Sequence, residues 1–188
     1  MINFTYDHGI SIEANAATFA AIAHSEQKYG DAPYVVHLFA VRLVLADFGV
    51  VQESPLAVAS LLHDTVEDTM ATREQIGELF GPPVEALVWA VTGLGERRKL
   101  RVLNAYAKIS EYGRRYTSDI EPAQAFAALK LKIADRIANV EASKRGSNHR
   151  KMYQSEQPGF EGLIWGMNGH MDPVVDRMLA RLRVALIA

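Results

Sequence analysis

Apolar residues recur at helical spacing along almost all of this 188-residue chain, and this periodicity constrains the fold most. In the last segment the apolar positions, three to four residues apart, are Met171, Val174, Val175, Met178, Leu182 and Leu186. The same spacing is present in 84–91 and 126–140. No stretch alternates with a period of two for long enough to require a sheet. We therefore predict an all-α fold of amphipathic helices packed around one core.

Helix caps and breaks rich in glycine and proline divide this pattern into a bundle of short helices. Ser54-Pro55 is typical of an N-cap followed by a first turn. Thr72 and Gln75 match a capping box, in which each side chain bonds the backbone amide of the other residue. The predicted helices are 11–29, 36–48, 55–66, 72–80, 83–92, 99–116, 122–144, 149–156 and 171–187. Because no repeat or linker separates them, we expect residues 1–188 to form a single domain.

The composition excludes several classes of function. The chain contains no cysteine, which rules out a disulfide scaffold, a thiolate zinc site and a cysteine nucleophile. Its net charge of -2 does not favour a nucleic acid polymer as partner, although a small phosphorylated ligand is allowed. The start of the chain lacks a basic region, and charged residues interrupt the apolar stretch 34–50, so we expect no secretory signal and no membrane span. We predict a soluble cytoplasmic protein.

Titratable side chains gather where the apolar helical segment 56–62 ends. His63-Asp64 follows this segment directly, and Glu67-Asp68 comes about one helical turn later. Four titratable groups therefore share a small volume, in which the carboxylates repel one another. A divalent cation is the natural group to offset that repulsion.

One imidazole and one carboxylate make half of a metal site, and His37 and Asp135 could complete it. A set of two histidines and two aspartates suits manganese, iron, zinc or another first-row ion. Such an ion would lower the pKa of a bound water from about 15.7 towards roughly 7. Other interpretations stay open: a helix end whose polar residues meet water, a structural His37, and an Asp135 that pairs with Arg136 or a lysine.

Six short segments between residues 23 and 140 occur in an order that identifies a family. They are 23–27 (AHSEQ), 33–37 (PYVVH), 61–69 (LLHDTVEDT), 80–81 (FG), 90–92 (AVT) and 131–140 (LKIADRIANV). In this order they resemble the HD-superfamily hydrolase domain of RelA/SpoT-type proteins. The resemblance extends to the stand-alone small alarmone hydrolases, since 188 residues leave no room for a synthetase domain.

This resemblance implies an HD-type helical bundle and a defined set of site residues. The implied Mn2+ ligands are His37, His63, Asp64 and Asp135. The implied groups that act on the nucleophilic water and the proton transfers are Glu67 and Asp68, and Asn139 matches a position near the nucleotide. The reaction of the family belongs to the stringent response: it removes the 3′-pyrophosphate from guanosine tetraphosphate or pentaphosphate, (p)ppGpp, and leaves GDP or GTP.

The predicted nucleotide contacts depart from the pattern of the family. Where the family commonly has an Arg-Lys pair, this chain has Lys28 and Tyr29, and Tyr29 could stack on a base instead. Basic residues often follow the Val-Thr motif of the family, so Arg98 and Lys99 are the preferred phosphate contacts, with Arg150 a further candidate. Each of these cations could equally be ordinary solvated charge. We interpret the long stretch 112–121 as a lid or an interface.

The sequence leaves three functions open. The first is a Mn2+-dependent (p)ppGpp 3′-pyrophosphohydrolase. The second keeps the metal chemistry but acts on another phosphorylated nucleotide, because Tyr29 replaces a cation. The third is a nucleotide-binding and metal-binding domain without turnover. A homo-oligomer is possible with each of them.

Overall fold

The structure, a computed structural model, describes residues 1–116, 126–169 and 172–188. Its helices are α1 (Ile12–Ala23), α2 (Val35–Asp47), α3 (Pro55–Leu62), α4 (Thr65–Asp68), α5 (Arg73–Phe80), α6 (Pro82–Val91), α7 (Arg98–Tyr116), α8 (Ala127–Ala142), α9 (Asn148–Gly166) and α10 (Pro173–Ile187). A short antiparallel hairpin of β1 (Lys28–Tyr29) and β2 (Ala32–Pro33) joins α1 to α2. The predicted all-α class is confirmed.

Helix α8 lies at the centre of the bundle. It packs against α2, α3, α6, α7, α9 and α10. Its fully buried apolar residues include Leu129, Leu131, Ile133, Ala134, Ile137 and Val140. Because neighbours surround this helix, it also buries the charged side chains of Lys130, Asp135 and Arg136. A buried charge is stable only with a partner, so each of these residues marks a place where polar groups must meet.

Side-chain caps begin five of the described helices, including α1, α3 and α5. The hydroxyl oxygens of Ser11, Ser54 and Thr72 accept hydrogen bonds from the backbone N–H groups three residues later, at the starts of α1, α3 and α5. The predicted capping box is only half formed, because the side chain of Gln75 does not return to Thr72. Instead Gln75 accepts a hydrogen bond from the Ile2 backbone N–H at 3.0 Å and donates to the Ile2 carbonyl. This pair ties the N-terminal segment to α5.

The predicted helix 11–29 is too long, since α1 ends at Ala23 and the chain turns into the hairpin. The backbone N–H of Gln27 donates to the carbonyl of His24 at 2.8 Å, which is a turn and not a helical bond. Gly30 at the hairpin tip has φ +62°, a conformation that favours glycine. The turn brings the chain back to begin α2, and it places Tyr29 and Tyr34 beside one another.

The predicted helix 55–66 is two helices, with His63 and Asp64 at their junction. His63 is the C-cap of α3, and Asp64 is the N-cap of α4. Residues 57–62 of α3 are buried, so both side chains leave the chain at the end of a wholly buried segment. The break in the helix therefore delivers an imidazole and a carboxylate to the interior.

Helix α9 continues past the end that its sequence predicts, at 156, as far as Gly166. Pro158 and Gly159, which suggested a break, lie on the exposed side of the helix. The opposite side buries Tyr153 and Phe160 against the bundle. Packing of this apolar side outweighs the local preference of proline and glycine for a break.

Some sequence predictions fall outside the described residues. These are residues 117–121 of the stretch 112–121, residues 122–125 of the helix 122–144, and Met171. Residues 112–116 of that stretch belong to α7, and the last predicted helix begins at Pro173. Among the helices that the structure describes, none is both long enough and apolar enough to span a membrane.

Candidate metal centre and the adjoining pocket

Two imidazoles and two carboxylates from three parts of the bundle converge on one point. His37 comes from the first turn of α2, His63 and Asp64 from the α3–α4 junction, and Asp135 from the middle of α8. His37 Nε2 lies 3.3 Å from Asp135 Oδ1 and 3.5 Å from Asp64 Oδ2. His63 Nε2 lies 3.0 Å from Asp64 Oδ2 and 3.8 Å from Asp135 Oδ1. Ligand atoms of His37, His63 and Asp135 all lie within 4.8 Å of one another, as the donors of a single cation would.

The hydrogen bonds of His63 fit a metal ligand. Its Nδ1 lies 2.9 Å from the backbone carbonyl of Ser60, to which it donates, and this bond leaves Nε2 as the ring nitrogen that faces the site. Nε2 is buried and makes no hydrogen bond to the described residues, although the carboxylates of Asp64 and Asp135 face it. A buried ring nitrogen that faces two carboxylates is stable when a proton or a metal cation lies between them.

The charges of the cluster support one another. Burial disfavours a charged imidazole, but the carboxylates of Asp64 and Asp135 outweigh it and raise the pKa of His63 to about 10. Burial is likewise outweighed at Asp64 by the charge of His63, and at Asp135 by the charge of Lys132. The pKa values of both carboxyl groups therefore lie well below their usual range. The site holds two ionised carboxylates, so it is suited to positive charge, either as a proton or as a metal.

Three neighbouring side chains hold these carboxylates in place. The hydroxyl of Tyr34 donates to Asp64 Oδ2 at 2.7 Å. Asn139 Nδ2 donates to Asp135 Oδ1 at 2.6 Å, and Lys132 Nζ donates to Asp135 Oδ2 at 2.9 Å. Such partners fix the direction in which a carboxylate presents its lone pairs to a metal.

A pocket of about 310 Å³ opens beside this centre, and Glu67 and Asp68 line it. Glu67 accepts a hydrogen bond from the backbone N–H of Gly93 at 2.5 Å, and it lies 3.3 Å from Arg101 Nε. Gly93 can approach α7 this closely because it lacks a Cβ, which would lie 2.9 Å from the Arg101 carbonyl oxygen. Burial raises the pKa of Glu67, and partial burial with the charge of Asp64 raises that of Asp68. Both carboxyl groups therefore retain protons to a higher pH than usual.

The two predicted contacts on the hairpin lie in different surroundings. Tyr29 lines the pocket, with its ring stacked on that of His37 at a centroid distance of 4.9 Å. Its hydroxyl donates to Asn139 Oδ1 at 3.1 Å. Lys28 is exposed and is not part of the pocket lining. The base-stacking face predicted for Tyr29 is thus partly covered by His37.

One wall of the pocket, here called the arginine wall, consists of Arg98, Arg136, Tyr153 and Glu156, and its arginines already have a carboxylate partner. Arg98 donates to both oxygens of Glu156, at 2.9 and 3.1 Å, and Arg136 NH1 lies 3.3 Å from the same carboxylate. Both guanidinium groups also lie over the ring of Tyr153, at 5.5 and 4.9 Å from its centroid. Lys99, the neighbour of Arg98, is exposed and does not line the pocket.

Arg150, the remaining predicted contact, lies away from this pocket. Its guanidinium is buried and donates to the backbone carbonyls of Ala185, Val140 and Ser143, at 2.6, 2.9 and 2.9 Å. These bonds tie the start of α9 to the ends of α8 and α10. In this structure Arg150 therefore connects helices.

With this geometry in view, the family assignment follows from comparison with known proteins. A family model described as HD domain matches residues 16–158, which contain the metal centre and both pocket carboxylates. The chain belongs to the HD-domain family. This HD-domain chain is 37% identical over 127 residues to a guanosine-3′,5′-bis(diphosphate) 3′-pyrophosphohydrolase of Aquifex aeolicus, a match that covers 66% of the chain and 17% of that protein. It is 38% identical over 95 residues to a protein of the same enzyme name from Drosophila melanogaster, covering 46% of the chain and 53% of that protein.

Solved structures show the same fold. One, of a protein described as a metazoan ortholog of SpoT that hydrolyzes ppGpp, matches with a TM-score of 0.65 at 24% identity, over 94% of this chain and 97% of that one. A second, lmo0812 of Listeria monocytogenes, matches with a TM-score of 0.52 at 23% identity, over 83% and 97%. The resemblance to the RelA/SpoT-type HD domain that the sequence predicts is confirmed. The chain spans between about a sixth and a half of the length of the two enzymes matched by sequence.

Sequence reasoning did not single out several residues of the site. The sequence allowed a lysine partner for Asp135 without naming it, and that partner is Lys132, three residues earlier in the same helix, a spacing at which side chains meet. The contacts of Tyr34 depend on the turn that the hairpin makes. The contacts of Glu156 depend on helix α9, for which the sequence predicts an end at residue 156. Their partners are distant in sequence, so no local pattern shows them.

Proposed function

We propose that this HD-domain protein is a metal-dependent (p)ppGpp 3′-pyrophosphohydrolase, which releases pyrophosphate and leaves GDP or GTP. The observation that carries the proposal is the convergence of His37, His63, Asp64 and Asp135 beside a pocket that Glu67 and Asp68 line. The enzyme name that the Aquifex and Drosophila relatives share supplies the substrate.

We propose Mn2+, or another first-row divalent ion, as the cofactor, with those two histidines and two aspartates as its ligands. The donor set of nitrogen and oxygen atoms fits such an ion, and His63 Nε2, which has no hydrogen-bond partner among the described residues, supports it. When bound, the ion would supply Lewis acidity and a water of lowered pKa. Tyr34, Asn139 and Lys132 would keep the aspartate oxygens directed at it.

The two pocket carboxyl groups are proposed as the groups that move protons. Hydrolysis joins a water oxygen to the attacked phosphorus, breaks its bond to the ribose 3′ oxygen, and requires a proton at that oxygen. The raised pKa values of Glu67 and Asp68 suit general acid and base roles near neutral pH. The N–H of Gly93 orients the carboxylate of Glu67 while it acts.

Positive groups near the pocket are proposed to hold the phosphates. Arg98 and Arg101 line it, and Asn139 and Tyr29 form the side towards the hairpin. Lys28 and Lys99 are exposed, so either would have to swing inward to reach a ligand. For Arg150 we now propose a structural role, because its hydrogen bonds all go to groups of the chain.

The test is product analysis with metal-stripped protein and guanosine tetraphosphate, with and without Mn2+. Equal amounts of GDP and pyrophosphate, formed only with Mn2+ and lost in Asp64→Ala, are expected. A protein that binds Mn2+ but forms no product would reject the alarmone as substrate. A wider panel of nucleotides would then be tested. Binding without turnover of any of them would indicate a catalytically silent binding domain.

A second candidate, hydrolysis of another phosphorylated nucleotide, is favoured by the hairpin. Tyr29 stands where the family commonly has a cation, and its hydroxyl is occupied by Asn139. A substrate panel distinguishes the two candidates. Faster turnover of a nucleotide that lacks the 3′-diphosphate would favour the second.

A further inference from the structure

His24, at the end of α1, occupies a place between the hairpin and the metal centre that no role described above requires. It is 2% exposed, although α1 has already ended and the chain beside it is largely exposed. Its ring is stacked on that of Tyr34, with centroids 4.4 Å apart and planes 17° from parallel. Tyr34 is the residue whose hydroxyl donates to Asp64 Oδ2. The His24 ring therefore backs the side chain that orients a proposed metal ligand.

The same imidazole makes a second connection through its nitrogen. His24 Nδ1 lies 2.8 Å from the amide oxygen of Gln27 and donates to it. The amide nitrogen of Gln27 in turn donates to the backbone carbonyl of Asp68 at 2.6 Å. The chain His24–Gln27–Asp68 thus fixes the end of α4, where one of the proposed proton-transfer groups stands.

The other ring nitrogen, Nε2, is buried without a hydrogen-bond partner among the described residues. Burial lowers the pKa of His24, so the ring is neutral and Nδ1 keeps its proton for Gln27. If this side chain only filled space, an apolar ring would be more stable, because a buried nitrogen without a partner costs free energy. The bond from Nδ1 to Gln27 explains why an imidazole, with its unpaired Nε2, stands here instead.

We propose that His24 is a positioning residue that holds two parts of the site at once: its ring places Tyr34 and so Asp64, and its Nδ1–H places Gln27 and so Asp68. We call the connection through Tyr34 the Asp64 branch and the connection through Gln27 the Asp68 branch. The Asp68 branch rests on the proposed function, whereas the Asp64 branch depends only on metal binding. The two branches use different properties of one side chain, so substitutions can separate them.

The experiment compares His24→Phe, which keeps a flat ring and loses the donor, with His24→Asn, which keeps a donor and loses the ring. Mn2+ affinity is measured by calorimetric titration of metal-stripped full-length protein, without nucleotide. We expect His24→Asn and Tyr34→Phe each to weaken Mn2+ binding about tenfold, because loss of an outer partner of a ligand costs about that much. We expect His24→Phe to bind Mn2+ within about threefold of wild type.

Turnover at saturating Mn2+ tests the other branch. We expect His24→Phe to lower kcat about tenfold, and Gln27→Ala to do the same, each with little change in KM. In the double variant the second substitution should add less than about twofold, since both break one chain of hydrogen bonds. Gln27 is less buried than His24, so Gln27→Ala tests the Asp68 branch even if His24 variants fold poorly.

Equal Mn2+ affinities for the Asn and Phe variants, whether both normal or both weakened, would overturn the division of roles. Full additivity of His24→Phe and Gln27→Ala in kcat would also overturn it, because a residue that only packs has no reason to act through Gln27. The titration requires no substrate. A wild-type protein that binds Mn2+ but does not hydrolyse guanosine tetraphosphate would therefore reject the proposed function and leave the Asp64 branch decided by the titration.

Discussion

The metal centre and the arginine wall of the pocket are built in opposite ways. At the centre, buried carboxylates are oriented by a tyrosine, an asparagine and a lysine, and they face His63 Nε2, which makes no hydrogen bond to the described residues. At the arginine wall, half-exposed Arg98 and buried Arg136 are already paired with Glu156. The centre is therefore prepared for a cation before any ligand arrives, whereas the wall has to exchange an internal anion for the phosphates of a ligand.

The largest effect should come from the edge of the centre, at Glu67. Glu67→Gln keeps an oxygen to accept the Gly93 N–H but can no longer take or give a proton. Turnover of guanosine tetraphosphate should fall by about 10²-fold or more, with Mn2+ affinity within about threefold of wild type. Steady-state kinetics and calorimetric titration measure the two quantities. Unchanged turnover would show that Glu67 takes no part in the chemistry and only lines the pocket.

The next largest effects should distinguish Arg150, as a structural residue, from Arg98, as a substrate contact, although the sequence predicts both as phosphate contacts. Arg150→Met leaves buried backbone carbonyls without a donor, so the free energy of unfolding should fall by about 3 kcal/mol. Its matched control, Arg98→Met, loses a half-exposed ion pair and should change stability by less than about 1 kcal/mol while raising KM. Urea unfolding followed by circular dichroism measures stability. A raised KM with normal stability for Arg150→Met would instead restore it as a substrate contact.

Binding of Mn2+ at the centre should also depend on pH. Without metal, His63 is protonated up to its raised pKa of about 10, and the pKa of His37 is also raised, since the nearby carboxylates outweigh burial. Mn2+ must displace these protons, so its affinity should rise about tenfold or more per pH unit between pH 6.5 and 8.5. Calorimetry in buffers of different ionisation enthalpy should detect the release of at least about one proton per ion. An affinity independent of pH over this range would contradict the proposed ligand set.

The difference between these regions also explains how far the sequence could predict the site. The metal-ligand candidates lie next to strong helical patterns, and a buried helix such as α8 fixes where Asp135 points. The orienting residues Gln27 and Tyr34 flank the hairpin, whose short strands have no periodicity to detect. Likewise, Pro158 predicted the end of α9 from local preference, and tertiary packing overrode it.

Other predictions from the sequence have no counterpart in this geometry. The single-domain assignment of residues 1–188, the cytoplasmic location and a homo-oligomer stay predictions, since each depends on more than the fold of this chain. The choice of Mn2+ also stays a proposal, because imidazole and carboxylate oxygens suit several first-row ions. Ligand chemistry limits the metal to a class, and measured affinities decide within it.

The smallest effect should come from the internal anion of the wall. Glu156 accepts hydrogen bonds from Arg98 and approaches Arg136, and these arginines outweigh its burial and lower its pKa, so it is ionised at neutral pH. A phosphate that binds Arg98 must compete with this carboxylate. Glu156→Gln keeps the shape and removes the charge, so KM for guanosine tetraphosphate should fall about threefold to fivefold with kcat unchanged, in line with the small free energy of a half-exposed ion pair.

A matched control is available on the same helix. Glu161 pairs with Arg183 in a similar two-bond geometry, at 2.9 and 2.7 Å, but does not line the pocket. Glu161→Gln should leave KM unchanged, which separates the local charge at Arg98 from the net charge of the protein. If both variants lower KM equally, the effect is long-range attraction of an anionic substrate, and Glu156 does not compete at Arg98. If Glu156→Gln raises KM, the carboxylate instead holds Arg98 and Arg136 in the orientation that the phosphates require, and the wall is as prepared for its ligand as the metal centre.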